Sequence, residues 1–245
     1  MVCLGSKIKY ANNICPILQK IIREKEIDTY IECFVGGANI IDKIRCKNKF
    51  GYDRSDTLIA LLQQAVLDWD GVLKEGTKEL WEKGKMYIKD GIKPTDMSLS
   101  DIGAMEYFAS FSNGGFSYGY AKNTQTRNYF KDGYLSLKRQ VPLLRDITFK
   151  CQNYWELEPV EGALIYLDPP HKNAKHKNYT RQTPIDYEHF WQWVRELSKK
   201  NYVIISEQVA PDDFEIVWRK ETKKIGNTDN YEEVEKLFRW KEGLK

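Results

Sequence analysis

Two short apolar segments on either side of a glycine turn constrain the fold of this chain most strongly. The first, Thr29 to Val35, is predicted to be a buried strand that runs into the turn Gly36-Gly37-Ala38-Asn39. Ile40 to Arg45 is predicted to open a helix, and Lys49 to Tyr52 is a second strand that ends in Asp53. A strand, a glycine turn, a helix and a second strand ending in an acid form the first unit of a doubly wound α/β sheet.

The same pattern returns in the second half of the chain after a long interruption. Apolar periodicity predicts helices at 14–26, 57–69, 78–87, 102–109 and 186–199. Strands are predicted at 147–151, 163–167 and 202–206, and two more within 214–240, joined by a turn at 226–230. We therefore expect one α/β domain made of residues 1–70 and 146–245, with a mainly helical insertion at 71–145.

Composition excludes several classes of protein. None of the apolar runs in the 245 residues approaches the ~18–20 residues that a membrane-spanning helix needs. The five cysteines include no Cys-x-x-Cys pair, and there are only three histidines, so neither a disulfide framework nor a metal site is expected. The sequence thus predicts a cytoplasmic protein that binds no metal and no membrane.

The segment that bears most directly on function is Asp168-Pro169-Pro170-His171, which follows the predicted strand at 163–167. Two prolines can neither continue a helix nor donate to a β-ladder, so Asp168 is expected where the strand stops, at the carboxyl edge of the sheet. The Asp168 carboxylate and the Pro169 carbonyl are then two rigid acceptors, suited to holding an exocyclic amine. The alternative is an ordinary Asp-Pro turn that only ends a strand.

The glycine turn and the acid after the next strand suggest a second ligand. Gly36 and Gly37 let a ligand approach the backbone closely, and Asp53 follows Gly36 by 17 residues. In dinucleotide folds an acid near that distance binds ribose hydroxyls, so a nucleoside-containing ligand is predicted. The turn lacks the full Gly-x-Gly-x-x-Gly pattern, and there is no phosphate-binding Gly-Lys-Ser/Thr loop, which disfavours a pyrophosphate cofactor and nucleotide hydrolysis. The alternative is a common βα turn.

Positive charge is concentrated in the stretch from Tyr120 to Arg139, although the whole chain has a net charge of only +3. Five basic residues there face one acid, Asp132, and aromatic side chains interleave with them. Such a mixture suits a phosphate backbone and unstacked bases. The candidate nucleic-acid contacts are Lys122, Arg127 and Lys131. The alternative is a solvated loop with a few core aromatics.

Several of these features recur together, in a fixed order, along nearly the whole chain. They are Leu-Gly-Ser-Lys at 4–7, Phe-Val-Gly-Gly-Ala-Asn at 34–39, Gly-Tyr-Asp at 51–53, Phe-Ser-Asn-Gly-Gly-Phe with Gly-Tyr-Ala within 111–121, Asp-Pro-Pro at 168–170, and Ser-Glu with Ala-Pro-Asp-Asp-Phe within 206–214. In this order the chain resembles the adenine-specific DNA methyltransferases of the type that includes the GATC methylases of bacteria and phages.

The resemblance implies a Rossmann-like fold, S-adenosylmethionine as methyl donor, and transfer of the methyl group to the N6 amine of adenine in duplex DNA. It implies that the insertion reads the DNA and that the target adenine flips into a pocket at Asp168-Pro169-Pro170, where His171 takes the place of a stacking ring. It implies a monomer in a bacterial or phage-infected cell. The donor would be surrounded by Gly5, Lys7, Phe34, Gly36, Gly37 and Asp53, with the pair Asn153-Tyr154 beside its adenine.

Four positions depart from the family's pattern near the expected active site. His171 stands where the family usually has Tyr, Ala174 where it often has Thr, Asn153 where it has an acid, and Gln208 where Tyr often follows Ser-Glu. A second reading is therefore a weakened or inactive relative that acts as a DNA-binding or regulatory protein. A third is a methyltransferase that acts on adenine in RNA.

Overall fold

The computed structural model describes residues 1, 6–111, 114–170, 185–225 and 230–244; of 222–225 and 230–233 it describes only the backbone. Within this part of the chain the strands are β1 Thr29–Glu32, β2 Asn48–Asp53, β3 Ile147–Cys151, β4 Leu164–Leu167, β5 Tyr202–Ser206, β6 Phe214–Ile225 and β7 Asn230–Trp240. They form one seven-stranded sheet in the order β3-β2-β1-β4-β5-β7-β6. The first five strands are parallel, and β7 runs antiparallel to both β5 and β6.

The described helices are α1 Ala11–Glu24, α2 Asp56–Leu67, α3 Lys78–Asp90, α4 Leu99–Phe108, α5 Tyr129–Leu144 and α6 Tyr187–Ser198. Because side chains alternate along a strand, β4 presents Tyr166 to the core that contains α1 and Ile165 to the core that contains α6. Parallel strands covered by helices on both faces make a doubly wound sheet, which confirms the predicted Rossmann-like α/β fold. No described helix is both long and apolar enough to cross a bilayer.

The strand order identifies the edge where a ligand is expected. The chain leaves β1 toward β2 on one side, and β4 pairs with β1 on the other, in a register that sets Glu32 opposite Tyr166. The order of the sheet therefore reverses between β1 and β4. In open α/β sheets, ligands bind in the crevice outside the carboxyl ends of strands at such a point. Asp168 follows β4 directly, and three residues separate β1 from the glycine turn.

One predicted element after the glycine turn is wrong. Ile40 to Arg45 was expected to open a helix, but the described chain forms only a short 3-10 turn at Ile41–Lys43. Hydrogen bonding from a distant helix accounts for the difference. The Gln140 side-chain amide, on α5, donates to the carbonyls of Gly37 and Ala38, at 3.1 and 2.9 Å. The carbonyls at the start of this connection are thus satisfied without a helix, while its isoleucines are buried in the core.

Residues 71–145 contain α3, α4 and α5, so the predicted helical character of the insertion is confirmed. Much of the basic stretch lies in α5, a helix that the sequence analysis did not predict. Asn128 caps this helix by accepting from the Lys131 amide. At the contact of α4 with α2, Gly103 lies so close to the Thr57 carbonyl that an added Cβ would stand 2.2 Å from its oxygen. The division of the chain into catalytic and target-recognition regions stays a prediction.

Candidate active site

Asp168 lies directly after β4, at the predicted carboxyl edge, and its carboxylate has a cation beside it. The Lys7 ammonium nitrogen lies 3.0 Å from Asp168 Oδ1 and 3.4 Å from Glu235 Oε1. The side chains of Lys7, Asp168 and Glu235 are 7%, 18% and 5% exposed, respectively. Lys7 starts the 3-10 turn at Lys7–Tyr10 that leads into α1. The N-terminal segment thus places a buried cation beside Asp168, at the end of β4.

The charges in this cluster stabilise one another. Burial by itself lowers the pKa of the Lys7 ammonium, but the Asp168 and Glu235 carboxylates outweigh it and hold that pKa well above its ordinary value. Lys7 is therefore a cation at every pH at which the protein is used. A permanent cation at hydrogen-bond distance favours the ionised form of Asp168. The arrangement gives a fixed carboxylate acceptor with restricted access to water.

The turn after Asp168 is contacted by a residue of α6. The Tyr187 hydroxyl, at the start of α6, lies within hydrogen-bond distance of the Pro170 carbonyl and 2.8 Å from Glu207 Oε2. Glu207 belongs to the Ser-Glu motif that follows β5, and it is buried. The predicted Asp-Pro-Pro and Ser-Glu motifs therefore meet through Tyr187. His171, Ala174 and Gly5 lie outside the described residues.

A second cluster lies at the ends of β1 and β2. Gly36 has a positive φ of +47°, and a Cβ added to it would meet nothing within 4 Å, so space is open above the turn. Asp53 Oδ2 accepts from the Gly36 amide at 3.1 Å, and Oδ1 accepts from the Ser55 amide at 3.0 Å. Burial raises the pKa of Asp53, against the opposing effect of these two amides. The glycine turn and Asp53 are thus in direct contact, and their binding of one ligand stays a prediction.

An aromatic wall adjoins this second cluster. The rings of Phe34 and Tyr154 lie 5.5 Å apart, and Tyr154 also packs edge-on against Phe190 at 5.4 Å. Asn153, which precedes Tyr154, caps a 3-10 turn together with Glu156. Five of the predicted donor-binding residues therefore gather at the ends of neighbouring strands: Phe34, Gly36, Gly37, Asp53 and Tyr154. Lys7, predicted with them, contacts Asp168 instead.

Three buried polar residues of the site were missed by the sequence analysis. Glu32 ends β1, accepts from the Tyr30 hydroxyl at 2.7 Å, and has a pKa that burial raises to about 8 although the hydrogen bond from Tyr30 opposes the shift. An acid at the end of the strand before the glycine turn is a signal that could have found it. Gln140 and Glu235 lie in amphipathic patterns that give no such signal, because their contacts come from distant parts of the chain.

Among the candidate DNA-contacting side chains, that of Arg127 is held by neighbouring residues. Lys122, Arg127 and Lys131 are all exposed. The Arg127 guanidinium is held by Asp132, with Nε 2.9 Å from Oδ2, and stacks on the Tyr129 ring at 4.3 Å. Lys131 lines a surface cavity of about 540 Å³ together with Lys74, Glu75, Gly76, Asn123, Asn128, Phe130, Tyr134 and Leu135. The described residues contain no group of three His, Cys, Asp or Glu side chains that could hold a metal ion.

Comparisons with known proteins find only distant structural similarity. No protein-family model and no curated protein matches the chain. Two solved structures of the rRNA methyltransferase aviRa from Streptomyces viridochromogenes align with TM-scores of 0.44 and 0.41, at 10% identity, over 96% of this chain and 84% of theirs. SMU.472, a putative methyltransferase solved in complex with SAH, aligns with a TM-score of 0.33 at 9% identity, over 96% of this chain and 54% of that one. These similarities are too distant to assign a substrate.

Proposed function

We propose that this chain is an S-adenosylmethionine-dependent methyltransferase that methylates the N6 amine of adenine in duplex DNA. The observation that carries the proposal is the pairing of Asp168 with a buried cation, Lys7, at the edge where the glycine turn and Asp53 also lie. An amine acceptor and a nucleoside site are then adjacent at the switch point of the sheet. The acceptor alone also fits a strand-ending turn, and the nucleoside site alone also fits a common βα turn. The two together suit the transfer of a group between two nucleosides.

The residues at the ends of β1 and β2 fit the methyl donor. The open space above Gly36 admits a ligand to the backbone, and the Asp53 carboxylate is placed to accept from ribose hydroxyls. The half-buried Phe34 ring, packed against the buried Tyr154, offers an apolar surface for its adenine. When bound, the donor supplies a methyl group carried on a sulfonium centre.

The chemistry at Asp168 is one of orientation. Adenine's exocyclic amine is a poor nucleophile because its lone pair is delocalised into the ring. Asp168 and the Pro169 carbonyl can accept its two N–H groups, which favours a pyramidal nitrogen with its lone pair directed at the methyl carbon. Well-oriented reactants gain roughly 7–11 kcal/mol in such reactions. The Lys7 ammonium, 3.0 Å from Asp168 Oδ1, stabilises the negative charge of this acceptor.

Duplex DNA is proposed as the substrate because of the insertion. A base within a duplex cannot reach a pocket at the sheet edge, so it must be extruded, at a cost of a few kcal/mol. The exposed side chains of Lys122 and Lys131 are suited to hold the phosphate backbone while the base is out. The test includes structured RNA as the alternative substrate.

The experiment measures transfer of a tritiated methyl group to unmethylated genomic DNA and, separately, to structured RNA. Asp168→Asn should abolish transfer while the donor dissociation constant in calorimetry stays within a few-fold. Asp53→Ala should weaken donor binding by about 1.5–3 kcal/mol. The matched control is Asp146→Asn, which alters an exposed carboxylate paired with Lys49 on the outer part of the sheet.

Three outcomes would contradict the proposal. Wild-type protein that binds no donor refutes a methyltransferase altogether. Donor binding without transfer to either nucleic acid favours the non-catalytic relative. Transfer to RNA but not to DNA replaces the substrate and keeps the site.

A further inference from the structure

Glu235 and Ser206 lie behind the Lys7–Asp168 pair and take no direct part in the proposed chemistry. Glu235 is on β7 and Ser206 ends β5; both are buried. The Ser206 hydroxyl donates to Glu235 Oε1, the same oxygen that lies 3.4 Å from the Lys7 ammonium. The side chains of Ser206 on β5, Glu235 on β7 and Lys7 thus form a line of contacts that ends at Asp168.

The geometry suggests what this line does. An ammonium group is a compact point charge with three donors on a flexible stem, and it moves to whatever acceptor is nearest. Lys7 is shared between Asp168 at 3.0 Å and Glu235 at 3.4 Å. Without the Glu235 carboxylate, the ammonium, already 3.0 Å from Asp168 Oδ1, would lose one of the two acceptors that fix its position and could shift across the Asp168 carboxylate, where it competes with a substrate amine.

We propose that Glu235 and Ser206 are positioning residues, which hold Lys7 against Asp168 Oδ1 so that the carboxylate keeps the orientation in which it accepts from the substrate amine. The role rests on the proposed function, since it concerns the acceptor for that amine. It assigns a catalytic purpose to the antiparallel β7, which a doubly wound sheet does not need for binding a nucleoside.

Other charged and titratable groups adjoin the cluster, and they are the same in the wild type and in the variants tested below. The Asp168 carboxylate raises the pKa of Glu32, which Tyr30 holds, and that of the Tyr166 phenol. Burial raises the pKa of Tyr166 well above its ordinary value, so this phenol stays neutral throughout. Asp42 and Lys43 lie beyond Glu32 and influence it with opposite signs. Substitution of Glu235 leaves all of these in place.

The first measurement is the titration of Lys7 itself, which does not depend on activity. In protein labelled with 13C at the lysine ε-carbons, the Lys7 resonance is assigned by its loss in Lys7→Arg. Glu235→Gln keeps the shape of the side chain and the hydrogen bond from Ser206 but removes one of the two carboxylates. We expect the apparent pKa of Lys7 to fall by ~1–3 units, the effect of one opposite charge at this distance.

The second measurement is turnover of the same variants. Glu235→Gln should lower kcat roughly 10- to 100-fold, the scale of a misplaced reacting group, while KM and the donor dissociation constant stay within a few-fold. Its pH–rate profile should gain an alkaline decline that the wild type, in which Lys7 stays charged, lacks. Ser206→Ala keeps the Glu235 carboxylate but removes the hydrogen bond that Ser206 donates to it, and should lower kcat less. The control is Glu215→Gln, which removes a carboxylate paired with Arg239 on the same hairpin.

Each result decides the proposal. An unshifted Lys7 titration in Glu235→Gln overturns it, and so does a shifted titration with unchanged kcat. If Glu235→Gln does not fold, Ser206→Ala with wild-type kcat overturns it instead. Failure of the proposed function is recognised separately, because the wild type would then transfer no methyl group while the Lys7 titration still reports on Glu235.

Discussion

Removal of the Lys7 cation should destabilise the protein in a pH-dependent way. Lys7→Met keeps an unbranched apolar stem and leaves Asp168 and Glu235 facing each other without a counter-ion. At an effective dielectric constant of about 20, each ion pair at 3.0–3.4 Å contributes roughly 5 kcal/mol of Coulomb attraction, most of it offset by desolvation. Loss of one partner of a buried pair costs ~3–5 kcal/mol. We expect a loss of that size at pH 8.

The loss should shrink at acid pH. In Lys7→Met the two carboxylates repel each other, so the folded state takes up a proton more readily than the unfolded chain does. The variant then binds more protons when folded, and its stability rises as pH falls, by up to about 1.4 kcal/mol per pH unit. The wild-type contribution of Lys7 does not change in this range: its pKa is raised above 10.5, so its stabilising effect is complete at any lower pH.

The assay is urea unfolding at pH 5 and pH 8, comparing the difference between wild type and variant at each pH. Lys49→Met is the matched control. Lys49 is 5% exposed and lies 2.9 Å from Asp146, but Asp146 is 67% exposed and stays in water when its partner is removed. The control should lose little stability, equally at both pH values. Equal losses for the two variants, or a Lys7→Met loss independent of pH, would refute the electrostatic account of the site.

Three further substitutions test other parts of the structure. The pKa of Glu32 is raised from 4.5 to about 8, so the wild type should lose stability as pH rises through this range, and Glu32→Gln should remove that slope in urea unfolding. Gly103→Ala places a Cβ 2.2 Å from the Thr57 carbonyl oxygen and should cost ~1–3 kcal/mol in thermal unfolding. Gly84→Ala, whose nearest neighbour is the edge of a ring, should cost less. Gln140→Met removes the side-chain donor to the Ala38 carbonyl, whereas the Gly37 carbonyl keeps the N-terminal ammonium as a donor; it should cost about 1–3 kcal/mol and weaken donor binding in calorimetry.

The sheet could be predicted from the sequence because its signals are local. Runs such as 163–167 and 202–206 are short, apolar and bounded by turns, and the structure places β4 and β5 within one residue of them. The helix expected after the glycine turn failed for a reason that no local pattern carries. Its carbonyls are satisfied by Gln140, which is about a hundred residues away in the chain.

The site divides in the same way. Asp168 and Asp53 could be predicted, because an acid that ends a buried strand must lie at the edge of the sheet. The contact of Lys7 with Asp168 could not, since it depends on where the turn before α1 meets the end of β4. Glu235 was hidden for the same reason: along an amphipathic strand it looks like any other polar residue, and only the pairing of β7 with β5 brings it beside Ser206.

A single helix joins the two halves of the proposed function. α5 presents Lys131 in its first turn, beside the surface cavity, and Gln140 at the glycine turn. Nine residues of α-helix span about 14 Å, and the buried face of α5, which includes Leu137 and Leu144, is part of the main core. The helix therefore cannot shift at one end without moving the other. Under the proposed function, a DNA backbone held near Lys131 would thus sit at a fixed distance from the glycine turn proposed to hold the donor, which is the condition that a transfer between two nucleosides imposes.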